Sequence, residues 1–294
     1  LKENYSYLVR LMKNTIEKWI EEDIGFGDIT TEALIPNETL GNAKLIAKEE
    51  GIVAGTQIAK KIFESRGLMV AILKDDGKKI SKGETIIEIM GKAKDILVLE
   101  RVSLNILMRM SGIATNTNKI VEKIKSVAPN VKIAGTRKTA PGLAKFDNLA
   151  ITVGGGDSHR FCLDDMVLIK DNHIAVVGSV SEAIEKVKKS VSFTKKIEIE
   201  VENSKDAAIA SKNGANIIML DNMSLESVKE TLEILNDFKL RKNVLIEVSG
   251  GINSENIVDF AKSGVDIISI GALTHSAKSL DIGLDISLEI SSDY

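Results

Sequence analysis

From about residue 166 onward, short β-branched runs alternate with amphipathic segments at regular spacing. MVLIK (166–170) precedes a helical pattern at 179–190, and IEIEVE (197–202) precedes one at 204–213. IIML (217–220) precedes 224–236, VLIEVS (244–249) precedes 254–263, and DIISIG (266–271) closes the series. Apolar runs bounded by Gly, Asn and Ser read as buried parallel strands, whereas Ala183/Val187 and Val228/Leu232/Leu235 recur at helical spacing. Ser224 and Ser254 stand where an N-cap would satisfy free backbone N–H groups, and Asn213-Gly214 and Ser263-Gly264 supply left-handed stops. Upstream, VKIAGT (131–136) and AITVG (150–154) add earlier strands, and the total favours a βα barrel over an open doubly wound sheet.

Residues 1–112 follow a different pattern. A helical segment at 5–22 leads to strand-like AKLIAKEEGIVAG (43–55), a helix at 56–66 and the run 69–91, where Asp76-Gly77 and Lys82-Gly83 punctuate alternating strands. A long amphipathic helix from about 95 to 111 then carries the chain toward the barrel. The first region is therefore α+β, and no low-complexity linker separates it from the second.

Composition narrows the function classes. With 294 residues, 44% hydrophobic and 28% charged, the chain is neither disordered nor collagen-like, and it is long enough for one large barrel or two domains. Its 39 basic and 42 acidic residues leave a net charge of −3, so no overall field draws it to nucleic acid or an anionic membrane, and any anion site is local. The single Cys162 excludes an internal disulfide and every multi-cysteine metal site. No apolar stretch reaches the roughly 18–20 residues of a membrane span, and Glu3, Glu17 and Glu21 make the start too acidic for a transit peptide. A soluble cytoplasmic enzyme is the expectation.

In a βα barrel the reactive groups project from the carboxyl ends of the strands. Here those ends carry Thr136-Arg137-Lys138, Lys170-Asp171-Asn172-His173, Glu200, Asp221-Asn222, Ser249-Gly250-Gly251 and Gly271. Each charge alone reads equally well as a solvated loop residue, but so many at one mouth point to a site. Arg137, Lys138, Arg160 and Lys170, with His159, predict a pocket for a small polyanion, because forked guanidinium groups and compact ammonium groups together suit several acid groups. Ion pairing of these cations with Glu200 and Asp221 is the competing reading. The turns Ser249-Gly250-Gly251 and Gly271-Ala272 predict a phosphate cradle of backbone N–H groups, and tight turns alone would explain the same glycines. Glu200 and Asp221 between the two would suit Mg²⁺ on a pyrophosphate, or the hydroxyls and developing positive charge of a sugar. A carboxylate-pair glycosidase fits less well, since the surrounding cations would leave no proton donor.

These residues fall in GTRKTAPGL (135–143), GGGDSHR (154–160), LIKDNHI (168–174), EIEVEN (198–203), MLDNM (219–223), EVSGGI (247–252) and GALTHS (271–276). Together with EDIGFGDITTEALIP (22–36), their order and spacing resemble quinolinate phosphoribosyltransferase over nearly the whole chain. The resemblance implies an enzyme joining quinolinate to phosphoribosyl pyrophosphate, with release of pyrophosphate and CO₂, to give nicotinate mononucleotide for NAD synthesis. It implies an N-terminal α+β open-faced sandwich domain (1–112, joined by the C-terminal segment 276–294) and an incomplete, seven-stranded-like α/β barrel of the TIM type (113–275). It also implies a homodimer or higher homo-oligomer whose active sites are completed across subunits.

Carried over by motif, Arg101 in LERVSLN (99–105), Arg137, Lys138, His159, Arg160 and Lys170 would line the quinolinate pocket. Glu200 and Asp221 would face the ribose and Mg²⁺, and Ser249, Gly250, Gly251 and Gly271 the phosphates; Lys138, Lys170, Glu200 and Asp221 would carry the chemistry. Two positions depart from the family pattern, Ala144 where Arg is usual and Ser158 where Asn is usual. A paralogous group linked to molybdate-transport operons shares the Arg-Lys-Thr and His-Arg elements but keeps Lys-Asp-Asn-His and Leu-Asp-Asn less well, and both are intact here. A non-catalytic barrel that senses a small anion would need only the cations.

Overall fold

A computed structural model describes residues 13–288, which form two compact units, one ending at Thr115 and resuming at Ala277, the other spanning Asn116–Ser276. The first unit begins with α1 (Lys13–Ile24) and α2 (Ile29–Leu34), the latter capped by Asp28, whose carboxylate accepts the N–H groups of Thr30 and Thr31. The part of the expected first helix before residue 13 lies outside the described residues.

Strands β1 (Leu40–Ala47), β3 (Met69–Ile72), β5 (Thr85–Lys92) and β12 (Ile282–Leu288) build a four-stranded antiparallel sheet in the order β12-β1-β5-β3. The chain thus returns at its far end to pair Ala47 with Ile282 and Gly41 with Leu288. Alternate β1 residues Ala43, Leu45 and Ala47 are buried, with Ile87 and Ile89 of β5, as period-two patterning requires of a sheet covered on one face. Helix α3 (Thr56–Glu64) buries Ile58, Ala59, Ile62 and Phe63, and its start is tied by Asp76, which accepts from Gly55 N and Thr56 N at 2.9 Å each. The short β2 (Gly51–Ile52) pairs with β4 (Lys79–Ile80), so the two turns at Gly77 and Gly83 separate strands of different sheets.

The predicted helix at 95–111 is longer in the structure: α4 runs Ala93–Lys125, 33 residues that contribute to both units. Burial of Leu99, Leu107, Met110, Ile113, Ala114 and Ile124 carries it through the Thr and Asn residues that weaken its intrinsic propensity. Gly112 in its middle is required by a close approach, since a Cβ there would lie 2.1 Å from the carbonyl oxygen of Lys278.

The second unit holds a six-stranded parallel sheet of β6 (Lys132–Ala134), β7 (Val167–Ile169), β8 (Ile197–Val201), β9 (Ile217–Asp221), β10 (Leu245–Ser249) and β11 (Ile267–Ser269). Their order is β6-β11-β10-β9-β8-β7, so the first strand pairs with the last, as in a barrel. A parallel bridge from Ala134 to Asp157 sets a vestigial seventh segment beside β6. Helices α6 (Asp171–Val177), α7 (Val180–Ser190), α8 (Ser204–Lys212), α9 (Leu225–Asp237), α10 (Ile257–Lys262) and α11 (Ala272–His275) follow successive strands; α5 (Ala144–Val153) precedes β7.

Two expectations are corrected. AITVG (150–154) is not a strand but the last turn of α5, where Phe146, Leu149, Ala150 and Ile151 are all buried. Its β-branched residues fit because Thr152 returns its hydroxyl to the carbonyl of Asn148 at 3.1 Å, and burial on several sides outweighs local propensity. Ser254 is not an N-cap; Asn253 Oδ1 accepts from Glu255 N and Asn256 N, and the helix starts only at Ile257. Ser224 does cap α9, accepting from Ser227 N.

Candidate active site

Lys170, Glu200 and Asp221 stand at the carboxyl ends of β7, β8 and β9, which are neighbours in the sheet. Lys170 Nζ donates to Glu200 Oε2 at 2.5 Å, so the ion-pair reading is realised for this cation. His173 sits one turn into α6 and accepts the backbone N–H of Lys170 on Nδ1 at 2.9 Å, which fixes the turn from strand to helix. The Asp221 carboxyl lies above its ordinary range, first because it is half-buried and then because Glu200 repels its charge, while Asn222, Lys170 and Lys138 act in the opposite sense. Five polar groups therefore share one mouth.

Lys138 reaches this group from the loop after β6. Its carbonyl accepts from Thr274 Oγ1 at 2.8 Å, and its side chain passes Gly271, where a Cβ would lie 3.1 Å from Lys138 Cδ. Arg160 is buried, and its guanidinium is pulled below its usual value by burial and by the nearby Arg137, with Glu198 opposing. Two guanidinium groups within electrostatic reach of each other repel, and an anion between them would relieve that repulsion, as Glu198 does in part for Arg160.

The loop after β10 turns through Gly250 and Gly251, both left-handed, at φ 83° and 64°. Gly250 has a second constraint: a Cβ there would meet Asn222 Oδ1 at 2.1 Å. Asn222, itself left-handed, donates its backbone N–H to Ser249 O at 2.9 Å and its amide to Asp221 Oδ2 at 2.6 Å, joining the β9 and β10 loops. Since α10 begins only at Ile257, the N–H groups an anion would find here are the turn's own, not those of a helix terminus directly behind Gly251.

Beneath the mouth lies a cluster that residue patterning did not single out. Glu198 on β8 and Glu247 on β10 are fully buried, and His159 Nε2 lies 3.1 Å from Glu247 Oε2 and 3.4 Å from Glu198 Oε2. Burial lowers the His159 pKa, but the two glutamates and Asp157 outweigh it and hold it above the ordinary value. Glu198 is pushed up to about 8, by burial first and by Glu247 second. Among the described residues this is the one set of three His, Cys, Asp or Glu donors close enough to share a metal ion, but His159 and Arg160 already supply it with positive charge. The signal available in the sequence was IEIEVE itself: in a parallel sheet both faces are covered, so a glutamate within the strand must be paired.

Arg101 belongs to the other unit, on α4, where it is exposed with Glu100 Oε1 at 3.9 Å. Cys162 is exposed. A cavity of about 220 Å³ lined by Val121, Lys125, Pro129, Lys132 and Asp157 contains none of the expected site residues.

Comparison with known proteins supplies the remaining facts. Residues 28–111 match the quinolinate phosphoribosyl transferase N-terminal domain, and residues 113–285 match the C-terminal domain. A probable nicotinate-nucleotide pyrophosphorylase (carboxylating) of Methanocaldococcus jannaschii is 50% identical over 282 residues, 95% of this chain and 97% of the relative. Its counterpart from Methanothermobacter thermautotrophicus is 47% identical over 275 residues, 94% of this chain and 99% of the relative. The crystal structure of nicotinate-nucleotide pyrophosphorylase from Ehrlichia chaffeensis superposes with a TM-score of 0.87 at 38% identity, covering 93% of this chain and 98% of that one.

Proposed function

The chain belongs to the quinolinate phosphoribosyltransferase family, and on that premise we propose that it transfers a phosphoribosyl group to quinolinate with loss of CO₂. The pyridine nitrogen bonds to C1 of the ribose as the bond to pyrophosphate breaks. Loss of the adjacent carboxylate as CO₂ then leaves its electron pair on that ring carbon, as an ylide stabilised by the charge of the neighbouring cationic nitrogen, and the carbon takes up a proton to give nicotinate mononucleotide for NAD synthesis. What supports this reading is the grouping of Lys138 and Lys170 with Glu200 and Asp221, and of Arg137 with Arg160 beside Glu198, which itself faces Glu200, in a protein of net charge −3.

Each group has a role that follows from its chemistry. Arg137, Arg160, Lys138, Lys170 and His159 bind the two carboxylates, and Arg101 adds a further cation. Glu200 and Asp221 face the ribose, where their charge favours the positive charge that grows at C1. Ser249, Gly250, Gly251 and Gly271 offer backbone N–H groups to the phosphates. Lys138 and Lys170 are the residues to which we assign the chemical step together with Glu200 and Asp221. Mg²⁺ is the cofactor we infer: Glu200 and Asp221 give it hard oxygen donors, and their mutual repulsion is what a cation would relieve. When bound it would supply charge to the leaving pyrophosphate.

The intact Lys-Asp-Asn-His and Leu-Asp-Asn motifs favour this activity over that of the molybdate-operon paralogues, and the carboxylate pair favours turnover over anion sensing. Pyrophosphate release with quinolinate, and little with the monocarboxylate nicotinate, tests it; equal rates would reject the dicarboxylate pocket.

We place the enzyme in the cytoplasm as a homodimer or larger homo-oligomer with active sites completed across subunits. No helix among the described residues is long and apolar enough to cross a membrane, and neither membrane nor nucleic acid is a partner in this reading. Exposed Phe26, Ile29 and Leu34 in one unit and Leu163, Val176 and Phe193 in the other are the apolar surface such an assembly would cover. Mixing inactive Arg101→Ala and Lys138→Ala chains should restore partial activity, because a heterodimer would own one site free of both changes. No recovery after verified subunit exchange would place the two residues in one subunit's site or Arg101 outside it.

A further inference from the structure

The two buried glutamates have no part in the reaction as derived above, yet both converge on a residue that does. β8 and β10 flank β9, and alternate strands of a barrel contribute to the same interior layer. Glu198 and Glu247 come from such alternate strands and meet at one ring nitrogen of His159. Neither is exposed, and Glu247 Oε2 makes the shorter contact, at 3.1 Å. His159 reaches them from a left-handed backbone, φ 57°, held by Asp157 Oδ1 accepting the His159 N–H at 2.8 Å. A residue other than glycine in that region is kept there by its surroundings, and here the conformation turns the ring inward.

We propose that Glu247 is the positioning residue for His159: it commits Nε2–H to the interior and keeps the ring charged, so that Nδ1–H donates to a carboxylate of the pyridine substrate. The inference rests on the reading that His159 faces quinolinate. Its logic is a count of protons. A neutral imidazole that gives its one N–H to Glu247 presents a bare lone pair on Nδ1, which repels a carboxylate. With Glu247 ionised, only the doubly protonated ring can bond to Glu247 and to an anionic ligand together. Nδ1 has no partner among the described residues, so it is free for that second bond.

The groups that face the ring are Glu247 from β10, Glu198 from β8 and Asp157 from its own loop, all acidic. Arg160, next in the chain, acts on Glu198, as does Glu200, and Arg137 acts on Arg160. The balance at His159 favours the charged ring, in agreement with the geometry. Glutamine at 247 would still accept from Nε2–H but would remove the charge that holds the second proton. A purely structural ion pair would make no such distinction between the neutral and charged acceptor in substrate affinity.

The ring nitrogens of ligand-free, ¹⁵N-histidine-labelled protein report this directly, because the chain has three histidines, His159, His173 and His275, and His159→Gln identifies the resonance that matters. In the native chain the His159 signals should show Nε2 protonated throughout and a midpoint above the ordinary 6.5. In Glu247→Gln the midpoint should fall by about one unit or more. At about pH 8 the KM for quinolinate should rise about tenfold, with kcat and the KM for phosphoribosyl pyrophosphate within about twofold, and the difference should shrink at lower pH as the ring recharges. Glu247→Asp, which keeps the charge, should hold the midpoint above that of Glu247→Gln, and the native titration decides the proposal by itself if neither variant folds.

A native His159 with bare Nε2, or a midpoint at or below 6.5, overturns the proposal without any variant. So does a midpoint that Glu247→Gln does not move. If quinolinate were not turned over at all, the substrate reading would fail while the ring titration still decided whether Glu247 holds the charge. Turnover of quinolinate with an unresponsive His159 would sink this inference alone.

Discussion

Glu198 and Glu200 are two residues apart on β8 and therefore on one face of the strand, yet they end in opposite situations. Glu200, at the mouth, is 12% exposed in its side chain and pairs with Lys170, itself 46% exposed. Glu198, one layer down, is 0% exposed, and both its oxygens lack a hydrogen bond of good geometry. The same contrast separates Asp221 at the end of β9 from Glu247 within β10. Depth along the strand, not residue type, sorts these carboxylates into groups that stand at the mouth, where the proposed ligands would meet them, and groups enclosed beneath it. Energetically, a pair whose cation stands open to solvent, as Lys170 does, contributes little to folding, whereas a fully buried charge left without its partner is strongly destabilising.

The sharpest break of that contrast is in the lower layer. Glu247→Ala would strip His159 of its closest partner and should lower unfolding free energy by ~3–5 kcal/mol in urea titration, the range for one half of a buried pair. The pH dependence of stability should carry the same signature. The folded-state pKa of Glu198, about 8, exceeds its ordinary 4.5, so the native chain holds that proton more tightly than the unfolded one. Its contribution is fully present below about 4.5 and is lost as pH rises through about 8. His159, also raised, acts with the same sign. The urea midpoint should thus fall between those limits, and Glu198→Gln should flatten the slope.

At the mouth, substitutions should leave stability nearly alone and change function. Arg137 is exposed, so Arg137→Ala reports on ligand contact, and it should weaken quinolinate binding by ~2–3 kcal/mol in calorimetry. Asp221→Asn should instead lower turnover by ~10²-fold or less with quinolinate affinity nearly intact, and excess chelator should abolish activity in the native chain. The smallest effect is on folding: Lys170→Met should shift stability by no more than ~0.5 kcal/mol despite the short Lys170–Glu200 contact. A loss of several kcal/mol there would erase the distinction between the layers.

The parallel strands were legible because a sheet covered on both faces needs continuous apolar runs, and the polar residues at their carboxyl ends interrupt those runs visibly. Lys170, Glu200, Asp221 and Ser249 could be located that way. The lower layer was legible only in part: IEIEVE places Glu198 in a buried strand and so calls for a partner, but Glu247 and His159, which meet it, lie in distant segments that only the fold brings together. AITVG misled for a related reason: β-branched residues at 151–153 favour a strand locally, and the packing around Phe146 and Ile151 decides for a helix. The extent of α4 was hidden by Thr and Asn at 115–118, which tertiary burial of Thr117 and its neighbours overrides.

The central claim is that the mouth binds a pyridine dicarboxylate and decarboxylates it only after the ring nitrogen has been joined to ribose. Carboxyl-labelled quinolinate, incubated with the purified protein with and without phosphoribosyl pyrophosphate and Mg²⁺, measures this most directly. The account predicts labelled CO₂ in step with pyrophosphate when phosphoribosyl pyrophosphate is present, and none in its absence. Labelled CO₂ without that donor, or bound quinolinate that yields neither product with it, would contradict the account.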